Sequence, residues 1–134
     1  MYSDDVEGIP NDEILWRRIF PGWWIYDENQ GRTRPTSQAF NDDENGLPMS
    51  VFVARIVQST GRNPNDVLHN HTGYALAFVT ARLARECKQL IAMELDPKNP
   101  DPAHAIVFGK KTGFVRSRLA KESGWVIPPT HGVV

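Results

Sequence analysis

The chain has a single cysteine, Cys87, among its 134 residues. An internal disulfide is therefore impossible, and a reducing cytoplasm is the simplest compartment to expect. Long apolar runs are also missing, since stretches such as GYALAFV fall far short of the roughly 20 residues that cross a bilayer. The acidic start MYSDDVEGIPNDE has no apolar stretch and predicts neither a secretory signal nor a transit peptide. These absences predict a cytoplasmic protein without a membrane partner.

Net charge is small as well, at −1 near pH 7, which argues against general binding of duplex nucleic acid. The charges are unevenly distributed. Residues 1–67 contain six Arg or Lys and eleven Asp or Glu, whereas residues 68–134 contain nine and five. Opposed halves can neutralise each other, pair neighbouring molecules, or present a basic face to an anionic partner. We expect neutralisation within a monomeric domain.

Composition is that of an ordinary globular protein, with 40% hydrophobic and 23% charged residues and no repeat. We predict a flexible acidic tail at 1–10, a single domain at 11–128 and a C-terminal tail at 129–134. The apolar patterns of the domain predict an α+β fold, with about five strands in one mixed or antiparallel sheet and about three short helices. The alternation of strands and helices over 73–123 leaves a small α/β sandwich as the alternative.

Capping and turn signals place most of the elements. NDEILWRRIF predicts a helix capped by Asn11, and a strand through ILWRRIF is the alternative. Asn63, Pro64 and Asp66 together form a strong helix start. Thr80 is the predicted cap of the helix ARLAREC, and TGFVRSRLAKES predicts a helix ended by Gly124. The segments predicted as strands are WWIY, MSVFVARIVQ, GYALAFV, QLIAMEL, HAIVFG and WVIP.

The segment GRTRPTSQAF predicts either an anion site or a polar turn that delivers Phe40 to the core. Pro35 favours an extended Arg34, after which a hydroxyl such as that of Ser37 can cap a short turn. Free backbone N–H groups beside Arg34 would attract an anion. Alternatively, the hydroxyls satisfy their own backbone and the arginines pair with the acids that follow.

A second anion-binding candidate is the corner GKKTG. A phosphate-binding loop is excluded, because His104 stands where the motif needs glycine and Lys111 where it needs serine or threonine. Lys110, Lys111 and Arg116 still form a cationic cluster where a strand meets a helix N-terminus. The alternative is a solvated helix face.

His104 and His71 are the candidates for acid–base catalysis, because imidazole exchanges protons near neutral pH. A histidine that donates to a loop carbonyl is the alternative. Zinc would need more ligands than His69 and His71 supply, and the acidic turn NDDENG lacks a calcium-binding glutamate because Phe52 stands in its place. We therefore predict neither a metal nor a cofactor.

Two functions remain, because no catalytic signature is complete. The first is a small accessory module that binds a protein partner and regulates it. The second is an enzyme or binding domain for a phosphate-bearing molecule, a nucleotide or RNA end, with Arg34, Ser37, His104 and the two lysines in one site. Convergence of Arg34 with His104 would favour the second function, and their separation would favour the first. Whether the protein is an enzyme stays open.

Overall fold

The computed structural model of the protein describes residues 9–94 and 101–130. These residues form an α+β domain, as the sequence predicts. Its strands are β1 (Ile14–Ile19), β2 (Trp24–Asp27), β3 (Arg32–Pro35), β4 (Met49–Val53), β5 (Ala75–Thr80), β6 (Leu90–Met93), β7 (His104–Phe108) and β8 (Gly124–Ile127). Its α-helices are α1 (Ala54–Ser59), α2 (Pro64–Val67), α3 (Ala81–Glu86) and α4 (Gly113–Glu122).

Six of the strands form one antiparallel sheet in the order β6-β7-β4-β1-β5-β8. The remaining two, β2 and β3, pair only with each other as a hairpin. The predicted sheet is therefore confirmed, and it is antiparallel throughout with one strand more than expected. Two 3₁₀ turns, Ser37–Phe40 and Glu44–Gly46, lie between the hairpin and β4.

The helix predicted for NDEILWRRIF is wrong, and its strand alternative is correct. This segment contains β1, which lies between β4 and β5. Leu15 and Ile19 enter the core on one face of the sheet, and Trp16 enters the core on the other. A strand with this two-residue period buries both faces, whereas a helix would bury only one stripe.

Two further strand predictions need correction. The strand expected over MSVFVARIVQ ends at Val53, and α1 follows directly with Ala54 and Val57 buried at helical spacing. The strand expected in WWIY exists, but it is not a buried one. It lies in the hairpin, where Ile25 and Tyr26 are each 52% exposed.

The predicted helix caps are present. Asn63 and Asp66 form a capping box around Pro64, and the Thr80 hydroxyl accepts a hydrogen bond from the backbone of Leu83. Gly124, however, does not end α4 as a left-handed cap, because the helix ends at Glu122 and the next residue is already extended.

Helices cover both faces of the sheet and create two apolar cores. Helices α3 and α4 and the turn Ser37–Phe40 cover the first face, where Phe40 is fully buried and Trp23 and Trp24 are partly buried. Helices α1 and α2 cover part of the second face, around Trp16 and Phe52. The candidate site is a cleft on this second face, next to the part that α1 and α2 cover.

The predicted tails fall largely on residues 1–8 and 131–134, which lie outside the described residues. Ile9, which the sequence analysis assigns to the N-terminal tail, is buried in the first core. Oppositely charged halves of the chain do meet, because Lys111 pairs with Asp42. Within the described ranges, no helix is both long enough and apolar enough to cross a membrane.

Candidate functional site

A cleft of about 390 Å³ opens on the second face of the sheet, beyond the part that α1 and α2 cover. Arg18, Ser50 and Phe52 of strands β1 and β4 form its floor. One wall is aromatic, and the opposite wall is the polar segment that follows the hairpin. The lining residues are Arg17, Arg18, Phe20, Trp23, Gln38, Asn41, Asp42, Asp43, Glu44, Ser50, Phe52, His71 and Tyr74.

The aromatic wall is a continuous row of rings. Phe20 lies 5.3 Å from Trp23 and 5.4 Å from Tyr74, measured between ring centroids. Tyr74 in turn meets the His71 ring edge-to-face at 5.0 Å. His71 Nδ1 lies 2.8 Å from the carbonyl oxygen of His69. A carbonyl oxygen only accepts, so Nδ1 carries the hydrogen and Nε2 is left for another partner.

Arg17 is a buried cation whose side chain leaves β1 on the first face of the sheet and also lines the cleft. Its Nη1 atom donates to Asp43 at 3.0 Å and to the Ser50 carbonyl at 2.8 Å. Its Nε atom donates to the Ala39 carbonyl at 3.0 Å. These bonds tie the loop before β4 to the sheet and occupy most of the donors of the guanidinium.

Arg18, the next residue, points to the second face and has spare donors. Its Nε atom donates to the Val67 carbonyl at 2.7 Å, and its guanidinium lies 4.6 Å above the Phe52 ring. Within the described parts of the chain, its Nη atoms have no hydrogen-bond acceptor and no carboxylate lies within ion-pair distance. Burial lowers the pKa of Arg18, and the charge of Asp101 offsets part of that effect. An arginine nevertheless stays cationic at neutral pH.

At one end of the cleft, Ser50 joins two ionisable side chains. Its hydroxyl donates to Asp43 Oδ2 at 2.7 Å and also lies 3.2 Å from His104 Nε2. The other ring nitrogen of His104, Nδ1, lies 3.0 Å from the carbonyl oxygen of Glu94. His104 therefore reaches the cleft through Ser50, and His71 lines the cleft directly.

Arg34, the arginine of the anion site predicted from sequence, does not line the cleft. Arg34 lies on β3 and forms a 2.6 Å ion pair with Asp27, and this hydrogen bond lowers the pKa of Asp27. Ser37 begins the first 3₁₀ turn, and its neighbour Gln38 contributes to the cleft. No described contact joins Arg34 to His104, and this separation counts against the anion site predicted from sequence. The turn Ser37–Phe40 nevertheless contributes Gln38 to the cleft that Ser50 also lines.

Among the described residues, no hydrogen bond or ion pair joins Arg34 to the lysine corner either. Lys111 is buried and donates to Asp42 and to the Val107 carbonyl, at 3.0 and 2.9 Å. Burial lowers the pKa of Lys111, and the ion pair with Asp42 opposes that shift. Lys110 is exposed, and Arg116 donates to the Lys111 carbonyl. Anion binding at this corner stays a prediction.

Sequence reasoning missed most residues of the cleft, including Arg17, Arg18 and Ser50. The strand alternative for ILWRRIF could have indicated Arg18. In a strand, side chains two residues apart lie on the same face, so Arg18 lies on the face of Trp16. Ser50 carries no local motif, since its partners come from distant segments of the chain. Among the described residues, no three His, Cys, Asp or Glu side chains form a group that could hold a metal ion.

Comparisons with known protein families, with curated proteins and with solved structures found no match for this chain. The geometry of the cleft is therefore the basis for a functional argument.

Proposed function

We propose that the protein binds a small phosphate-bearing ligand with a planar ring, such as a nucleotide, in the cleft on the second face of the sheet. The observation that carries this proposal is Arg18. It is a half-buried cation with unused donors at the floor of a cleft. Removing a charge from water is costly unless a partner compensates it, and an oxyanion would supply that partner.

The acidic residues nearby do not supply it. Asp42 and Asp43 are already paired with Lys111 and Arg17. Asp101, whose charge Arg18 senses, receives two 2.8 Å hydrogen bonds from Arg62. Glu44 is exposed at the rim, where water and salt screen its charge. Of the two arginines that line the cleft, Arg18 is thus the one that no described carboxylate pairs with.

The planar part of the ligand is inferred from the aromatic wall. Tyr74 and Phe20 offer ring surface beside Arg18, and His71 adds a polar nitrogen at the edge. Base-to-aromatic stacking contributes about 1–3 kcal/mol per base and tolerates different bases. A cleft of about 390 Å³ lies within the range of about 300–1,000 Å³ that small-molecule sites occupy.

Adenosine monophosphate and inorganic phosphate at constant ionic strength are the probes that test this proposal. We expect saturable binding of the nucleotide by calorimetry, with a matching rise in melting temperature. Arg18→Gln should weaken it by about 10- to 100-fold, the value of one charge-assisted hydrogen bond. Tyr74→Leu should weaken nucleotide binding by about tenfold, through lost stacking, and leave phosphate binding unchanged.

Arg82→Gln is the matched control, because Arg82 is exposed on α3 at the first face of the sheet. It should bind like the wild type. Loss of binding in Arg34→Ala or in Lys110→Ala/Lys111→Ala, with Arg18→Gln unaffected, would move the site to the segments predicted from sequence. Absence of saturable binding in the wild type would refute the proposal.

The hairpin supports the accessory module as a second candidate function. Ile25 and Tyr26 are adjacent on β2 and more than half exposed, and apolar side chains of this kind are common in protein interfaces. A partner captured from lysate by the wild type should be lost with Ile25→Ser/Tyr26→Ser and retained with Arg18→Gln. Equal capture by both variants would exclude the hairpin as its binding surface.

A further inference from the structure

We propose that Ser50 is a nucleophile, that His104 is its general base, and that the protein hydrolyses carboxylic esters that carry an anionic group. The proposal rests on the binding function above only for the anionic group, which Arg18 would hold. The reactivity of Ser50 itself follows from separate contacts.

The first of these contacts orients His104. Its Nδ1 atom lies 3.0 Å from the Glu94 carbonyl oxygen and 3.9 Å from the Glu94 carboxylate. Both oxygens accept hydrogen bonds, so Nδ1 carries the hydrogen in the neutral ring. Nε2 then has its lone pair free, and it lies 3.2 Å from Ser50 Oγ. This is the arrangement of nucleophile, base and orienting group that activates a serine.

The second contact concerns the resting position of the proton. The single hydroxyl hydrogen of Ser50 has two acceptors, His104 Nε2 and the nearer Asp43 Oδ2 at 2.7 Å. Asp43 is itself fixed by Arg17. When the oxygen attacks, the proton passes to His104 Nε2, because a neighbouring imidazole is the usual base for a serine nucleophile.

The sheet makes this geometry rigid. Strands β4 and β7 are antiparallel neighbours, and Phe52 lies directly opposite His104 in their register. The two rings pack at 5.7 Å, which restricts the imidazole. Groups on paired strands hold their relative positions better than groups on loops. The Ser50 side chain lines the cleft, so a bound ester can reach its oxygen.

The reaction proceeds in two steps. Ser50 Oγ forms a bond to the acyl carbon while its proton passes to His104 Nε2. The ester C–O bond breaks, and the leaving alcohol takes that proton. Water then attacks the acyl-serine and gives a proton to His104 Nε2. The Oγ–C bond breaks to release the acid, and that proton passes from His104 to Ser50 Oγ, which restores both residues. Arg18 holds the anionic group of the substrate throughout.

A fluorophosphonate probe tests the nucleophile, because it forms an Oγ–P bond with release of fluoride. We expect one adduct by intact mass, located on Ser50 by peptide mapping. Ser50→Ala should abolish it. His104→Gln should slow it by about 10²- to 10⁴-fold, the usual contribution of a general base. Ser59→Ala and His69→Gln replace exposed residues of the same types and should label like the wild type.

Circular dichroism of each variant separates loss of reactivity from loss of folding. A folded His104→Gln that labels at the wild-type rate would overturn the role of His104. A folded wild type without an adduct on Ser50 would overturn the nucleophile, and leave its contact with His104 as a structural one.

Two esters test the substrate class, neutral 4-nitrophenyl acetate and anionic mono-4-nitrophenyl succinate. Ser50→Ala should abolish the hydrolysis of both. Arg18→Gln should lower kcat/KM by about 10- to 100-fold for the anionic ester only. If Ser50 reacts but Arg18→Gln affects neither ester, the anion site fails and the nucleophile stands. Release of phosphate from 4-nitrophenyl phosphate without ester hydrolysis would overturn the carboxylic ester assignment.

Discussion

Replacement of Arg17 by methionine should destabilise the fold strongly, because methionine fills similar space but donates no hydrogen bond. Four acceptors would lose their partner, the carboxylate of Asp43 and the carbonyls of Ala39, Ser50 and, at 3.4 Å, Asn41. A buried polar group left unpaired costs about 1–3 kcal/mol. The two closely bonded carbonyls, those of Ala39 and Ser50, therefore suggest a loss of about 2–4 kcal/mol. Asp43 adds little, because its side chain is 29% exposed and water can replace the guanidinium.

Urea unfolding followed by tryptophan fluorescence would measure this loss. The midpoint should fall without a change in the slope against denaturant, since the unfolded chain exposes the same surface. Arg82→Met is the control and should stay within about 0.5 kcal/mol of the wild type, because Arg82 is exposed. A loss below about 1 kcal/mol for Arg17→Met would show that the buried carbonyls find other donors, and would refute this account of the loop before β4.

Three other positions give measurable expectations in the same assay. Phe40→Ala should cost about 3–5 kcal/mol, because Phe40 is fully buried, and a loss below about 1 kcal/mol would contradict its place in the core. Gly124→Ala should cost about 1–3 kcal/mol, because the new Cβ would lie 2.5 Å from Phe78 Cε1. Adding Phe78→Leu to this variant should recover part of the loss. If the losses of the two single variants simply add in the double variant, the clash is refuted. The hydrogen bond from Arg62 lowers the pKa of Asp101 in the folded protein. The ionised Asp101 therefore stabilises the fold at pH values above the pKa of unfolded aspartate, about 3.9. This stabilisation disappears as the pH falls through the lower pKa of the folded state. Asp101→Asn should remove that part of the acid dependence, and an unchanged acid profile would refute it.

The sequence correctly predicts features of the fold that depend only on residues close together in the chain, such as helix caps. Thr80 and the capping box at Asn63 fall where the sequence places them, because a cap satisfies backbone groups within three residues. NDEILWRRIF was misassigned because Asn11 and the following acids resemble a helix start, whereas the partners of β1 are distant in sequence. Tertiary pairing overrides weak local propensity in such a segment.

The candidate site was less predictable for the same reason. Its groups lie far apart in the chain and meet only through strand register, as Ser50 and His104 do across β4 and β7. Gly124 is predicted as a helix cap, but α4 ends before it. In the structure the small size of glycine matters at this position, because the Phe78 ring approaches the backbone closely.

Arg17 and Arg18 show how neighbouring residues of one type take opposite roles. Successive side chains of a strand leave it on opposite faces, and although both arginines line the cleft, their guanidiniums have different hydrogen-bond partners. The first has its donors matched by loop carbonyls and Asp43, so its burial contributes to folding. Burial desolvates the guanidinium of Arg18, whose contacts are one hydrogen bond to the Val67 carbonyl and the face of the Phe52 ring. The charge of Asp101 offsets part of the desolvation cost, and a ligand anion would offset more of it. The difference between the two arginines, rather than the density of positive charge, therefore locates the proposed site.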